Sequence, residues 1–420
     1  MGAIAPYQAG KPIEELAREF GLDPAGIVKL ASNENPLGMP ESARQAMLAA
    51  ATALARYPDP NGFDLKAALA ARYGVPANWI TLGNGSNDIL EIVALALLEP
   101  GVSAVYAQHS FAVYRLATQA RGARHLVVPA KDYGHDLDAM FAAIDGDTRV
   151  VFIANPNNPT GTFAPGAAIE RFLGQVAQAH GERVTVVLDE AYNEYLDPEH
   201  RFDSVALVRR FPNLVVSRTF SKAYGLAGLR VGFAVAQPAL TDLLNRVRQP
   251  FNVNTLAQAA AVAALADTAY LERAYEANRA GKAQLVKAFD VLKLRHVPSY
   301  GNFVLVHVGD AARINLELLK RGLSCARSAA MACLSGCACP SACLPRTNAL
   351  SLRLPRSWRY ERRASPAGEP RHRGAGRGGC GLDRRLVCRS VAPGWPAWPR
   401  PGRGPQSRVA GASLGAGTHR

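Results

Sequence analysis

The chain has 420 residues, a length that allows one large domain or two medium domains with a sizeable core. Its formal net charge of +14 arises in the last hundred residues, which hold 18 arginines, three acidic residues, no lysine and all seven cysteines. The sequence contains no run of 18 apolar residues and no secretory leader pattern, so it predicts neither a membrane span nor export, and we expect a cytoplasmic protein.

The N-terminal part of the chain is predicted to form helices separated by loops. Apolar residues at helical spacing within residues 11–30 predict a short helix and a turn. The polar, proline-interrupted segment 31–38 is predicted to be a loop, and two further helices are predicted at residues 41–55 and 63–73.

A short strand at residues 80–82 leads into a glycine-rich turn and a helix that runs to Leu98. Free backbone amides at such a helix N-terminus bind anions, and the helix dipole adds to the attraction. Gly85 and Ser86 are therefore candidate phosphate ligands. The alternative is an ordinary turn, because glycine turns before helices are common in α/β proteins.

Strands and helices then alternate along the chain. The predicted strands are residues 102–107, 123–128, 150–154, 183–190, 214–217 and 231–236, and the predicted helices between them are residues 111–121, 136–144 and 166–180. This alternation predicts an α/β fold with a mostly parallel or mixed sheet covered by helices on both faces. Ligands in such sheets bind at the carboxyl ends of the strands.

Two features at the predicted strand ends carry chemistry. The segment 155–161 contains two prolines and cannot continue a strand, so it is predicted to be a rigid loop that presents asparagine amides. Asp189 ends an apolar strand, where a carboxylate has little water and needs a cationic or protonated partner. The alternative for Asp189 is a structural role in capping the following turn.

The segment 217–233 contains Lys222, which is preceded by hydroxyl residues and followed by glycines and an arginine eight positions later. A lysine that forms a Schiff base must lose its proton near neutral pH, which a buried site favours. Ser217, Ser221 and Arg230 would supply the hydroxyl donors and the positive fork that a cofactor phosphate needs. A Ser-Lys pair considered alone is more typical of a surface loop.

Taken together, segments 155–161, 189–192 and 217–233 resemble the fold-type I, class II-like aminotransferases that use pyridoxal 5'-phosphate. The N-terminal Leu30-Ala31-Ser32-Asn33-Glu34-Asn35-Pro36 and Arg56-Tyr57-Pro58 resemble the histidinol-phosphate aminotransferases in particular. The resemblance runs from about residue 4 to residue 323. It implies amino transfer between L-histidinol phosphate and 2-oxoglutarate, which gives imidazole-acetol phosphate and glutamate in histidine biosynthesis.

The resemblance also implies a role for each candidate residue. Lys222 would bind the cofactor aldehyde and shuttle a proton, and Asp189 would keep the pyridine nitrogen protonated. The remaining cofactor contacts would be Asn158 and Tyr192 at the ring hydroxyl, Phe111 on the ring face, and Gly85, Ser86, Ser221 and Arg230 at the phosphate. Tyr57 would reach the neighbouring subunit's site, which implies a homodimer, and Tyr7 and Asn33 would contact the substrate. No metal is implied.

The same resemblance implies a division into domains. Residues 1–30 would form an N-terminal arm and part of a smaller α+β domain, residues 31–265 the large cofactor-binding domain, and residues 266–322 the incomplete remainder of the small domain. Within this last segment, helices near 270–294 and 311–321 are predicted on either side of a strand at 302–306.

The tail, residues 323–420, departs from the family. Two arginines expected on apolar strands are missing, and the segment is rich in Arg, Pro, Gly and Cys, which predicts disorder. A shifted reading frame from Leu323 can encode Val-Val-Arg-Pro-Val-Gly-Ser-Tyr-Gly-Leu-Pro-Glu-Trp-Leu-Arg-Val-Ser-Val-Gly-Leu-Pro. We therefore hypothesise that the tail is a shifted frame, from a mutation or a sequencing error, and that loss of the arginines impairs the reaction.

Other functions stay open from the sequence. An arginine-rich tail can bind nucleic acid through phosphates, although it lacks the motifs of known binding modules, and its cysteine cluster lacks paired metal-ligand spacing. Within the enzyme class, the alternatives are an aromatic amino acid aminotransferase or another fold-type I pyridoxal-phosphate enzyme.

Overall fold

A computed structural model describes residues 11–328 and 331–334. Most of the longer helices that the sequence predicts begin and end close to the predicted residues. Several helices, including two that the sequence does not predict, are capped by the side chain of an Asp or Asn residue. The helices are α1 (Ile13–Phe20), α2 (Glu41–Ala50), α3 (Phe63–Tyr73), α4 (Ser86–Leu97), α5 (Ala112–Ala120), α6 (Leu137–Ala142), α7 (Gly166–His180), α8 (Ser204–Val208), α9 (Pro238–Val247), α10 (Thr255–Ala266), α11 (Thr268–Val291) and α12 (Ala311–Lys320).

The strands of the described residues form three sheets. They are β1 (Val28–Lys29), β2 (Ile80–Gly83), β3 (Ser103–Ala107), β4 (Arg124–Val128), β5 (Thr148–Ala154), β6 (Thr185–Asp189), β7 (Leu214–Thr219), β8 (Gly232–Val235), β9 (Val304–His307), β10 (Leu323–Ser324), β11 (Ala326–Ser328) and β12 (Met331–Leu334).

The largest sheet has the strand order β2-β8-β7-β6-β5-β3-β4. Its neighbours from β7 to β4 run parallel, and only β8 is antiparallel to both of its neighbours. The predicted α/β fold with a mostly parallel sheet is therefore confirmed. In this register Asp189 lies beside Ala154 on one side and Ser217 on the other, so the ends of β5, β6 and β7 meet at one edge.

Apolar side chains on the two faces of this sheet bury it between two layers of helices. In β6, Val186 and Leu188 pack into one hydrophobic cluster with α7, whereas Val187 packs into a second cluster with α4 and α5. This alternation follows from the two-residue repeat of a strand. The central strands are consequently buried on both faces, as expected for parallel sheets.

Two smaller sheets are built from the N-terminal segment and the residues after α11. Strand β1 pairs in parallel with β10, and β9 pairs with β12, which pairs with β11. Strands β10, β11 and β12 thus lie beyond the predicted start of the tail at residue 323. The rest of that predicted disordered tail, and most of the proposed shifted frame, lie outside the described residues.

Helices α8, α9 and α10 are absent from the sequence prediction. Helix α10 consists largely of alanine and other apolar residues, with Ala257, Ala260, Ala261 and Ala264 buried, so it carries no polar face that would reveal a helical period. Over the described part of the chain, no helix has the length and apolar character needed to cross a bilayer.

Candidate active site

Lys222 lies three residues after β7, at the edge where β5, β6 and β7 end. Its Nζ donates a hydrogen bond to the Ser32 carbonyl at 2.8 Å and lies 5.7 Å from the centre of the Tyr192 ring. Burial lowers the pKa of Lys222 from 10.5 to about 8. A larger fraction of this side chain is therefore neutral, and thus nucleophilic, at neutral pH than of an ordinary lysine.

Asp189 ends β6 and is only 5% exposed. The Tyr114 hydroxyl donates a hydrogen bond to its Oδ2 at 2.8 Å, whereas its buried Oδ1 accepts no hydrogen bond within the described residues. Burial raises the pKa of Asp189 from 3.8 to about 6, and the hydrogen bond from Tyr114 opposes this rise. The second oxygen of this buried carboxylate can accept a hydrogen bond from a protonated nitrogen of a ligand.

The hydroxyl oxygen of Tyr192 accepts hydrogen bonds from two side-chain amides. Asn158 Nδ2 donates at 3.0 Å and Asn33 Nδ2 donates at 3.1 Å. The structure thus brings Asn33, Asn158 and Tyr192 together beside Lys222.

The prediction that loop 155–161 presents its asparagine amides is only partly correct. The Asn155 side chain exchanges two hydrogen bonds with the backbone of Ala164. The Asn157 amide donates to the His109 carbonyl and to Thr160 Oγ1, each at 2.7 Å. These two side chains hold the loop in place through Ala164, His109 and Thr160, and Asn158 is the one that reaches the site.

Four of the predicted phosphate ligands converge at the N-terminus of α4. Arg230 Nη1 donates to Ser221 Oγ at 3.3 Å, and a Cβ at Gly85 would lie 3.0 Å from the Arg230 guanidinium carbon. Gly85 has a φ of 84°, which side chains rarely adopt, and Ser86 begins the helix with its free amides. A glycine backbone, the free amides of a helix start and a guanidinium thus lie together, which suits a phosphate.

Ser217 does not join this group. It is fully buried inside β7 as the register partner of Asp189, and its Oγ has no hydrogen-bond partner among the described residues. The prediction that its hydroxyl serves the phosphate with Ser221 and Arg230 is not supported, because Ser217 is held within the sheet while Ser221 lies in the turn that follows it.

The other predicted residues occupy three different environments. Phe111 precedes α5, with its ring at 6.1 Å and nearly perpendicular to the Tyr114 ring. Tyr57 is 82% exposed and stacks on Phe251 with 4.6 Å between ring centres. Tyr7 lies outside the described residues.

Two residues that contact the site were missed by the sequence analysis. Tyr114, which binds Asp189, lies three residues after Phe111 and so on the same face of α5, which is a signal that could have identified it. Asn302 donates from Nδ2 to the Asn33 carbonyl at 3.0 Å across 269 residues of sequence, and no local pattern predicts such a contact.

Comparison with known proteins identifies the family of the chain. Residues 25–342 match the sequence model of the family described as aminotransferase class I and II. The chain is 70% identical over 325 residues to histidinol-phosphate aminotransferase 1 of Cupriavidus pinatubonensis, covering 76% of this chain and 85% of the relative. It is 68% identical to histidinol-phosphate aminotransferase 2 of Ralstonia nicotianae, with coverage of 76% and 86%.

A solved structure shares the fold. The crystal structure of histidinol-phosphate aminotransferase from Sinorhizobium meliloti in complex with pyridoxal-5'-phosphate superposes with a TM-score of 0.75. The two sequences are 28% identical, and the alignment covers 84% of this chain and 95% of that one. From the family match, the close relatives and the shared fold, we conclude that the chain belongs to the aminotransferase class I and II family.

Proposed function

We propose that this enzyme transfers the amino group of L-histidinol phosphate to 2-oxoglutarate, giving imidazole-acetol phosphate and glutamate in histidine biosynthesis. The observation that carries the choice of substrate is the 70% identity to a histidinol-phosphate aminotransferase over most of both chains. The geometry around Lys222 supports the reaction class, because a half-buried amine, a buried carboxylate and an anion cradle share one edge of the sheet.

The cofactor of this proposal is pyridoxal 5'-phosphate, and the residues present fit it. Gly85, Ser86, Ser221 and Arg230 would hold its phosphate, and the unpartnered Oδ1 of Asp189 would accept a hydrogen bond from its ring nitrogen. Tyr192 and Asn158 would bond its ring hydroxyl, and Phe111 would cover its ring face. When bound, the cofactor supplies an electron sink for negative charge at the carbon that carries the amino group.

Within that site, each protein group has a defined task. Lys222 Nζ would bind the aldehyde and, as the free amine, would take a proton from the substrate carbon and return it one position further on. Its depressed pKa makes it a base near neutral pH. Asp189 would hold a positive charge in place, and Asn33 and Tyr7 would contact the substrate.

The first test adds L-histidinol phosphate to the purified, cofactor-loaded full chain without 2-oxoglutarate and follows the visible absorbance of the bound cofactor. We expect the band to bleach, and Lys222→Ala to show no such band. Phenylalanine is the comparison substrate. Faster bleaching with phenylalanine would favour an aromatic amino acid aminotransferase and would refute the proposed substrate.

We also propose that the active form is a homodimer in which Tyr57 reaches the site of the neighbouring subunit. Its support is the pair of stacked rings of Tyr57 and Phe251 at the surface, with Phe63 also 74% exposed. Large exposed aromatic side chains of this kind are typical of interfaces.

Mixing two inactive variants tests this shared site. Lys222→Ala lacks the amine, and Tyr57→Ala lacks the residue donated to the partner. If sites are shared, a mixed dimer contains one intact site, so mixing the two variants after dissociation and reassociation restores activity. Absence of any recovery, or a monomeric mass in sedimentation, would contradict the proposal.

The domain division and the compartment are further proposals. We propose that residues 31–265 form the large domain and that residues 1–30 and 266–322 form the small one; the hydrophobic cluster that joins Val28 and Leu30 to Phe289 and Val304 supports this. We propose a cytoplasmic location, because a charged phosphate ester does not cross a bilayer unaided and the enzyme must share a compartment with its substrate. Cell fractionation tests the latter.

A further inference from the structure

The segment 30–35 runs between Lys222 and the smaller sheets, and contacts of different origin fix it. Lys222 Nζ donates to the Ser32 carbonyl at 2.8 Å, and the Asn35 amide donates to the Ala223 carbonyl, also at 2.8 Å. On the other side, the Leu30 amide donates to the Ser324 carbonyl at 2.7 Å. The carbonyl that receives the lysine is therefore held within a stretch tied at both ends.

Asn33 occupies the bend of this segment. Its φ is 54°, in the left-handed region that an asparagine tolerates better than most residues. Its side chain points to the Tyr192 hydroxyl, while its carbonyl accepts the amide of Asn302 at 3.0 Å. Asn33 thus contacts Tyr192 through its side chain and Asn302 through its backbone. Its backbone conformation also sets the direction of the preceding Ser32 carbonyl.

Asn302 is well placed to hold that bend. It is 1% exposed, and it precedes β9 of the smaller antiparallel sheet. The next residue, Phe303, packs edge-on against the Tyr192 ring with 5.2 Å between centres. The preceding residue, Gly301, is bonded through its carbonyl to Asn278 of α11. The Asn302 amide is therefore rigidly supported.

We propose that Asn302 is a positioning residue for Lys222: by bonding the Asn33 carbonyl, it holds the bend that presents the Ser32 carbonyl to the lysine amine. This inference rests on the proposed cofactor chemistry, in which Lys222 must be released as a free amine and recaptured in each turnover. The Ser32 carbonyl is where the structure holds that free amine. Asn302 bonds the backbone of Asn33, a predicted substrate contact, and so acts on the lysine through that backbone.

The proposal predicts a change that a purely structural role would not cause. A carbonyl acceptor stabilises the protonated amine, so its misplacement lowers the pKa of Lys222. Glu34 and Asp189 favour protonation of this amine, and Arg230 and Lys29 oppose it. Glu34 belongs to the same segment 30–35, so a bend that opens away from the amine carries Glu34 with it and lowers the pKa of Lys222 in the same direction as loss of the carbonyl. The pH midpoint for cofactor capture by the cofactor-free protein reports this pKa.

The experiment measures the rate of visible band formation after mixing cofactor-free full chain with pyridoxal 5'-phosphate from pH 6 to pH 10. We expect Asn302→Ala to lower the midpoint by about half a pH unit or more relative to the unsubstituted chain. The matched control is Asn213→Ala. Asn213 is also a buried asparagine with one donated bond to a carbonyl, Val184 at 2.8 Å, but it lies at the opposite end of β7.

A midpoint that stays the same or rises in Asn302→Ala overturns the proposal, and so does an equal decrease in Asn213→Ala. If Asn302→Ala does not fold, Asn302→Ser gives the same comparison, because its shorter side chain leaves the Asn33 carbonyl out of reach. Failure of the unsubstituted chain to form any band would overturn the proposed function together with this inference, whereas normal capture with an unmoved midpoint would overturn the positioning role alone.

Discussion

The position of Asp189 is unfavourable for a negatively charged carboxylate. It is buried at the end of a strand, and one of its oxygens has no hydrogen-bond partner among the described residues. Folding therefore disfavours its ionised form, which the raised pKa of about 6 expresses. An ionised carboxylate at this position destabilises the folded protein unless a positively charged group of a ligand binds beside it. We therefore expect Asp189 to contact a cationic group of a bound ligand.

Replacing this carboxylate should stabilise the cofactor-free protein. Because the folded-state pKa is above 3.8, the folded protein loses stability as the pH rises from about 4 to about 6, and Asp189→Asn removes this loss. We expect the variant to have a free energy of unfolding higher by about 1–3 kcal/mol at pH 8, with the difference shrinking towards pH 4. Urea titration of the cofactor-free protein at the two pH values measures it.

The same variant should bind pyridoxal phosphate about 10- to 100-fold more weakly, because it cannot form a charged hydrogen bond to the ring nitrogen. Fluorescence or absorbance titration with the cofactor gives this ratio. A variant that is less stable at pH 8, or that binds the cofactor unchanged, would contradict the role given to Asp189.

Lys222 gives a second prediction at the scale of one residue. Burial lowers its pKa from 10.5 to about 8, so the fraction of neutral amine rises tenfold per pH unit below about 8 and levels off above it. The rate of cofactor capture should follow this profile. Lysine acetylated on its α-amino group, measured under the same conditions, corrects for the titration of the cofactor. Its rate of reaction with the cofactor should level off near pH 10.4. A protein midpoint as high as that of the free compound would refute the assignment.

The anion cradle depends on how closely two elements approach. Strand β8 passes the N-terminus of α4 at Gly232, where a Cβ would lie 2.6 Å from the Ser86 amide nitrogen and 2.8 Å from the Gly85 carbonyl carbon. These are backbone atoms, so a side chain could enter only if the turn moved. The glycine is needed for close packing of the strand against the helix start.

Gly232→Ala should therefore weaken cofactor binding through the phosphate. We expect the affinity for pyridoxal phosphate to fall by about 10-fold or more, because displaced amides lose charge-assisted hydrogen bonds. Gly174→Ala is the control. Gly174 lies inside α7 with open space around it, so alanine there should raise the free energy of unfolding by about 0.5–1 kcal/mol and leave cofactor affinity unchanged. Equal cofactor affinities in the two variants would contradict the packing argument.

The elements differ in how far the sequence reveals them. Buried parallel strands such as β5 and β6 are continuous apolar runs bounded by turn residues, and their predicted bounds agree with the structure within about two residues. Helix α10 carries no such pattern, because alanines pack on several sides of it. In loop 155–161, the sequence identifies the asparagines. Only the folded loop distinguishes Asn158, which bonds Tyr192, from the two whose amides bond Ala164 and His109.

At the scale of the whole molecule, the smaller sheets depend on residues far apart in sequence. Residues Val28 and Leu323 are register partners, and β9 pairs with β12, which lies within the atypical tail. The arginines expected after Gly322 are missing, and the chain covers 85% of the Cupriavidus relative. The hypothesis of a shifted reading frame stays a prediction.

Restoring that frame from Leu323 should improve the half-reaction that uses glutamate. Two arginines would return, and each can bind a carboxylate with two parallel hydrogen bonds. We expect kcat/KM for glutamate to rise about 10- to 100-fold over the present chain. A restored chain with both arginines changed to methionine separates their effect from repair of the small domain. Equal rates in the restored and present chains would refute the hypothesis.

The sequence by itself determined the fold class, the lysine-bearing turn and most of the candidate ligands, because apolar runs, glycine turns and isolated charged residues are local signals. Only the tertiary structure decided which of these side chains meet: that Ser217 stays within the sheet, that Tyr114 supports Asp189, and that Asn302 reaches the segment facing Lys222. The physical reason is that hydrogen bonds between residues 75 or 269 positions apart depend on the packing of whole elements, which short-range patterns do not encode.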